Sequence, residues 1–201
     1  MKQKIVFIGN SIVNGFPFSR GKSFPGLIRA AVKDGKATFH GDIINKGENG
    51  QTTRDIAARF DHDVIDHQPK AVFIMTGTND FIFNESTPDE AFENLEEMAR
   101  QAEAAGITPV YMTPLFVDPD IASRKWMAGA GVDYDEVNRQ VEEFSEMLRG
   151  GGRLCLDTNI AYQRYASGKD AYHDGVHPTQ EGYEFLAETV LSWMEEHMEE
   201  L

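Results

Sequence analysis

Four short blocks hold the residues able to do chemistry: "GNSI" (9–12), "NKGENGQTT" (45–53), "GTND" (77–80) and "DGVHP" (174–178). A serine hydroxyl is a weak nucleophile and needs a histidine base that is itself oriented by a carboxylate. Ser11 supplies the hydroxyl. Asp174 and His177, three residues apart in a loop held by Gly175 and Pro178, supply the other two groups. Attack on a carbonyl builds negative charge on its oxygen, which must be met by hydrogen-bond donors. Gly47 offers a backbone N–H for that purpose and Asn79 a side-chain amide. Phe81, just past Asn79, and Val176, beside His177, are the candidate substrate contacts; Ile82 and Phe83 extend the same apolar stretch.

Each residue also has a bland reading. Ser11 could cap a helix, Asn79 could make an Asx-turn, Asp174-Gly175 could be only a turn, and Gly47 and Gly50 could simply permit positive φ. Two sharper rivals exist. Gly15 to Ser23 ends in Gly21-Lys22-Ser23, as a phosphate-binding loop does, but five residues separate its glycines where G-x-x-x-x-G-K-[ST] has four. Its proline also lacks the N–H that a phosphate nest uses. His173 and His177 are spaced as zinc ligands on a helix, but Gly175 and Pro178 argue against a helix there. Cys155, inside an apolar strand, reads as a small core residue.

Positioning these blocks requires a frame. Strand-length apolar runs occur at Ile5–Ile8, around Ile43-Ile44, at Ala71–Met75, at Thr108–Met112 and at Leu154–Leu156. Near-continuous runs suit strands covered on both faces. Helical spacing fills the gaps: Phe24, Leu27, Ile28 and Ala31; Ile56, Ala57, Phe60 and Val64; then residues 134–149 and 179–198. Thr87-Pro88-Asp89-Glu90 is a capping box that opens a helix running to Gly106. Alternating elements of this kind predict an α/β sandwich with the functional loops at the carboxyl ends of the strands.

With Ser11, Gly47, Asn79 and His177 in this order and at these places, the chain resembles the SGNH hydrolases, also called GDSL esterases and lipases. The resemblance spans nearly the whole chain. It implies a three-layer α/β/α sandwich on a five-stranded parallel sheet, flavodoxin-like, and a serine esterase needing neither cofactor nor metal. It implies that Ser11 is the nucleophile, His177 the base and Asp174 its orienter. The Ser11 and Gly47 N–H groups and the Asn79 amide would then bind the oxyanion. The partner implied is a small-molecule ester, acetyl or short acyl, with lysophospholipids and thioesters within the family's range. One departure is Asn10, where the family name implies aspartate. The readings from other classes are a nucleotide-binding P-loop protein and a catalytically silent α/β binding domain.

Bulk properties narrow the setting. The 201 residues fit a single domain spanning 1–201. Nineteen basic against thirty-three acidic side chains give a net charge of −14, which disfavours nucleic acid. One cysteine excludes an internal disulfide. No apolar run has the length of a signal peptide core or a membrane helix, so a cytoplasmic protein with no membrane anchor is expected. Three segments carry further expectations. Residues 115–133 read as a long connection able to rim a substrate site, "DHDVIDH" (61–67) as helical i,i+4 ion pairs, and the final "EEHMEEL" as a frayed, solvated helix end.

Overall fold

The apolar runs become strands. The computed structural model describes residues 3–197 and 199–201. Among these residues β1 (Gln3–Gly9), β2 (Gly41–Gly47), β3 (Ala71–Met75), β4 (Thr108–Met112) and β5 (Leu154–Leu156) form one sheet. All its pairings are parallel and the order is β2-β1-β3-β4-β5. Between and after the strands run α1 (Ser11–Asn14), α2 (Phe24–Lys33), α3 (Thr53–Ala58), α4 (Phe60–Asp63), α5 (Thr78–Ile82), α6 (Pro88–Ala104), α7 (Pro119–Lys125), α8 (Tyr134–Gly150), α9 (Thr158–Ala166) and α10 (Gln180–Glu196).

Side chains alternate across a strand, and the core divides accordingly. Phe7, Phe73, Val110 and Leu156 pack with residues of α2, α9 and α10 on one face. Val6, Ile8, Val72, Ile74 and Tyr111 pack with α3, α6 and α8 on the other. The result is the expected three-layer α/β/α sandwich.

The strand order explains where a site can form. β1 lies between β2 and β3, so successive connections leave it on opposite sides and open a crevice at the carboxyl ends. Gly9, the last residue of β1, stands level with Gly47 on one side and Met75 on the other. The loops carrying Ser11, Gly47 to Thr53, and Asn79 therefore start from one row.

Local signals in the sequence act as expected at α6, where Thr87 and Glu90 exchange the two hydrogen bonds of the capping box. Three other segments differ. The 115–133 connection contains α7, capped by the Asp118 side chain accepting from the Ile121 N–H at 2.9 Å, with Pro119 at the helix start. "DHDVIDH" is not one helix: α4 ends at Asp63, whose carboxylate bonds Lys46 at 2.9 Å and Arg59 at 2.6 Å instead of His67. At the carboxyl end, Leu201 is buried in the core beside α10, because its isobutyl side chain has apolar surface to hide; Met198 lies outside the described residues. Among the described residues no helix is long and apolar enough to cross a membrane.

Candidate active site

Ser11 is placed by its neighbours on both sides. Gly9 has no room for a side chain: a Cβ there would come within 2.2 Å of the Met75 carbonyl oxygen. Asn10 then leaves the strand in extended geometry, and its Oδ1 accepts from the Ile12 N–H at 3.2 Å. An asparagine thus caps α1, using only its acceptor atom, so its departure from aspartate leaves the turn intact. Ser11 follows as the first residue of α1, where backbone N–H groups have no helical partner.

The histidine loop is built from short-range bonds. The His173 N–H donates to the His177 carbonyl at 2.8 Å, and Tyr172 bridges to Pro178. Gly175 (φ +95) lets this loop press against α7, since a Cβ would meet the Ala122 nitrogen at 2.3 Å. Asp174 Oδ1 accepts the N–H groups of Val176 at 3.0 Å and His177 at 2.9 Å. Its Oδ2 lies 2.8 Å from His177 Nδ1, and His177 Nε2 lies 2.8 Å from Ser11 Oγ.

The charges in this chain of contacts are consistent. Burial works to raise the pKa of Asp174, but hydrogen bonds from the His177 ring and backbone, with the Val176 N–H, outweigh it and hold the carboxyl below the usual range. A carboxylate only accepts, so Nδ1 carries the ring hydrogen and the Nε2 lone pair faces the Ser11 hydroxyl. His177 is 1% exposed, and its ring is fixed at both nitrogens. The structure thus brings together Ser11, Asp174 and His177.

The oxyanion donors divide differently from the expectation. Asn79 is the second residue of α5 and donates from Nδ2 to the Gln51 carbonyl at 2.9 Å, which leaves one amide hydrogen. The Gly47 N–H is already committed to Asn45 Oδ1 at 2.8 Å, so its single hydrogen is not available to an oxyanion. The place of Gly47 is steric: a Cβ would lie 2.2 Å from the Asn14 nitrogen, so only glycine lets α1 settle on the end of β2. Gly50, three residues on, adopts φ +78 beside Gln51, and its N–H has no partner among the described residues. The signal for Gly50 was present in the same "GENG" stretch, but spacing does not rank two glycines.

The two predicted substrate contacts lie in the core. Phe81 is 4% exposed and packs edge-on to Phe144 with ring centroids 5.8 Å apart; Val176 is also 4% exposed. Each has apolar neighbours that burial favours, and little surface to offer a ligand. The exposed aromatic of that stretch is Phe83. Two further rings touch the imidazole: Phe16 at 4.6 Å and Trp126, within the 115–133 connection, at 4.8 Å between centroids.

The rival sites do not assemble. Ser23 is buried as the cap of α2, accepting from the Gly26 N–H at 3.2 Å and donating to the Arg20 carbonyl at 2.7 Å, while Gly21-Lys22 form an exposed 3-10 turn. His173 is exposed and lies near Phe18, whereas His177 faces Ser11 and Asp174. Burial pushes the Cys155 thiol up to about 11, which leaves it protonated and inert.

Comparison with known proteins bears on the family and the fold. The profile of the GDSL-like lipase/acylhydrolase family matches residues 7–185. An acetylxylan esterase of Geobacillus stearothermophilus is 24% identical over 94% of this chain and 92% of its own length. An arylesterase of Vibrio mimicus is 25% identical over 98% and 90%. A lipoprotein of Bacillus subtilis, YqeF, is 46% identical over 77 residues; the match spans 36% of this chain and 32% of that protein. Among solved structures, the lipase/acylhydrolase of Enterococcus faecalis superposes with a TM-score of 0.77 at 23% identity, covering 96% of this chain and 95% of that one.

Proposed function

The chain belongs to the GDSL-like lipase/acylhydrolase family, and from that premise we propose that it is a serine carboxylic-ester hydrolase acting on acetyl or short acyl esters. The observation that carries the reading is the unbroken contact from Ser11 Oγ through His177 to Asp174, at 2.8 Å on each side of the ring. His177 Nε2 takes the Ser11 proton as Oγ attacks the ester carbonyl. Asp174 keeps the ring hydrogen on Nδ1 and stabilises the imidazolium that forms. The carbonyl oxygen becomes an oxyanion met by the Ser11 N–H, the free Asn79 amide hydrogen and the Gly50 N–H. His177 returns its proton to the departing alcohol oxygen as the C–O bond breaks, leaving an acyl-serine. Water, deprotonated by the same nitrogen, then hydrolyses that ester and restores Ser11. The acetylxylan esterase among its relatives favours an acetyl group.

Labelling tests the reading. A fluorophosphonate should attach to Ser11 and to no other serine, and Ser11→Ala should hydrolyse 4-nitrophenyl acetate at the background rate while melting like the wild type. An adduct mapped to a different serine, or an active Ser11→Ala protein, would overturn it.

A further inference from the structure

We propose that Phe16 and Trp126 form the wall of the subsite for the alcohol half of the ester. On this proposal the wall favours alcohols bearing a ring, a flat aryl or a pyranosyl chair with its face of C–H bonds, over open-chain alcohols. The inference rests on the esterase reading above.

The two rings do not sandwich the imidazole. Phe16 stands 4.6 Å from His177 at 58°, Trp126 stands 4.8 Å away at 70°, and the two are 6.3 Å from each other. A triangle with those sides has close to a right angle at His177, so the rings make a corner against it. Ser11 and Asp174 hold the two ring nitrogens. Both aromatic residues keep part of their surface exposed, although the imidazole between them is buried.

Each wall residue is fixed by bonds from separate parts of the chain. The Phe16 N–H donates to the carbonyl of Ser11 at 3.0 Å, and the Phe16 carbonyl accepts the Tyr183 hydroxyl at 2.7 Å. The Trp126 N–H donates to Ala122 at 2.8 Å, and its carbonyl accepts the Tyr134 hydroxyl at 2.7 Å. The backbone that carries the corner is therefore held before any ligand arrives. Its indole Nε1 is buried with no acceptor among the described residues. Trp126 thus contributes as an apolar surface and not as a donor.

The chemistry puts the alcohol against this corner. To receive a proton from Nε2, the leaving oxygen must lie within about 3 Å of it. The next atoms of the alcohol then lie beside the imidazole, where two partly exposed rings stand within 5 Å of its centroid. An aryl ring meets aromatic neighbours face or edge on, worth about two- to tenfold in binding per contact, and a pyranosyl chair lays its C–H face on them, whereas an open chain covers less of the corner.

The experiment holds the acyl group at acetate and varies the alcohol: phenyl acetate, an acetylated methyl pyranoside and propyl acetate. The readout is kcat/KM, which reports acylation, the step in which the alcohol is still attached. Comparing each variant with wild type on the same ester cancels intrinsic leaving-group reactivity. Trp126→Leu should lose about tenfold more on the two ring esters than on propyl acetate. Trp126→Phe keeps an aromatic edge and removes an unmet donor, so it should keep most of the preference. Phe16→Leu gives an independent reading should Trp126→Leu fail to fold. An equal fall on all three esters would mean that the rings only hold His177, and would overturn the proposal. So would a Phe variant as indifferent as the Leu one. A wild-type protein that cleaves no ester and takes no fluorophosphonate on Ser11 defeats the esterase reading itself. A cleaving protein with an unmoved preference defeats only the wall.

Discussion

Asp80 ties Thr53 to the end of β3: its Oδ1 accepts the Thr53 hydroxyl at 2.6 Å, and the Thr53 N–H lies 3.0 Å from Oδ2 and 3.2 Å from Oδ1. Thr53 opens α3 and Asp80 sits beside Asn79, so this one buried carboxylate fixes the two loops that carry the proposed oxyanion donors. The bond from Asn79 to the Gln51 carbonyl is a second tie between the same loops. Burial pushes the Asp80 carboxyl above its usual range, against the Thr53 hydrogen bonds that lower it.

Asp80→Ala leaves two Thr53 donors without this acceptor, at about 1–3 kcal/mol for an unmet buried group. The melting temperature should fall, and kcat should fall with KM little changed, because the oxyanion forms only along the reaction. A variant that melts early yet keeps full kcat would reduce Asp80 to a structural anchor.

Gly47 and Gly50 should separate fold from chemistry. Gly47→Ala drives a methyl to 2.2 Å from the Asn14 nitrogen, backbone that cannot yield cheaply, so it should be strongly destabilised. At Gly50 a Cβ meets open space, and only the positive φ of +78 is unfavourable. Gly50→Ala should cost about 1–2 kcal/mol, stay folded and turn over more slowly as its N–H shifts. Full activity in Gly50→Ala at unchanged stability would remove Gly50 from the oxyanion site.

Much of this was legible in the sequence, for a physical reason. Asp174 and His177 are close because the loop between them is short, and Ser11 sits at the carboxyl edge of the sheet because the strand before it must end at Gly9. Gly47 against Gly50 was not legible, since a glycine's role depends on which backbone approaches it. The same holds for Phe16 and Trp126, whose contacts with His177 are made over long stretches of chain and follow no period. By contrast α7 was announced by Asp118-Pro119, a cap and a first helical residue, inside a stretch whose glycines read as loop. Phe81 fits the general rule that an apolar side chain in a buried helix goes to the core.

Acid stability should run through Asp63. Burial would raise its pKa, but hydrogen bonds from Lys46, Arg59 and His62 bring it down to about 2 from an ordinary 3.8. A depressed carboxyl contributes stability that is full above the unfolded value and is lost as pH falls through the folded one. The window here is pH 3.8 down to about 2, and the contribution is on the order of 2 kcal/mol. Arg59 also reaches the Gly9 carbonyl at 3.1 Å and Gln51 Oε1 at 2.6 Å, so this ion pair steadies the site loops as well. Urea midpoints at pH 6 and pH 2.5 should differ less in Asp63→Asn than in wild type. Equal differences would mean that the pair contributes nothing.

Asp174 allows the sharpest test, because its two oxygens divide their partners unequally. Oδ1 accepts the Val176 and His177 backbone N–H groups, and Oδ2 makes the shorter contact to His177 Nδ1. In Asp174→Asn the one remaining oxygen is claimed by the two backbone donors, so the amide NH2 must face Nδ1. A donor there forces the ring hydrogen to Nε2, where the imidazole can no longer accept the Ser11 proton. The wrong tautomer should lower kcat by about 10⁴, although the loop keeps its bonds and the melting temperature stays near wild type. Asp174→Ala has the opposite balance: the loop loses its acceptor and stability falls, but the ring is free to adopt either tautomer. The more stable variant should therefore be the less active one. If Asp174→Asn outperforms Asp174→Ala in kcat, Asp174 does not act by fixing the tautomer of His177.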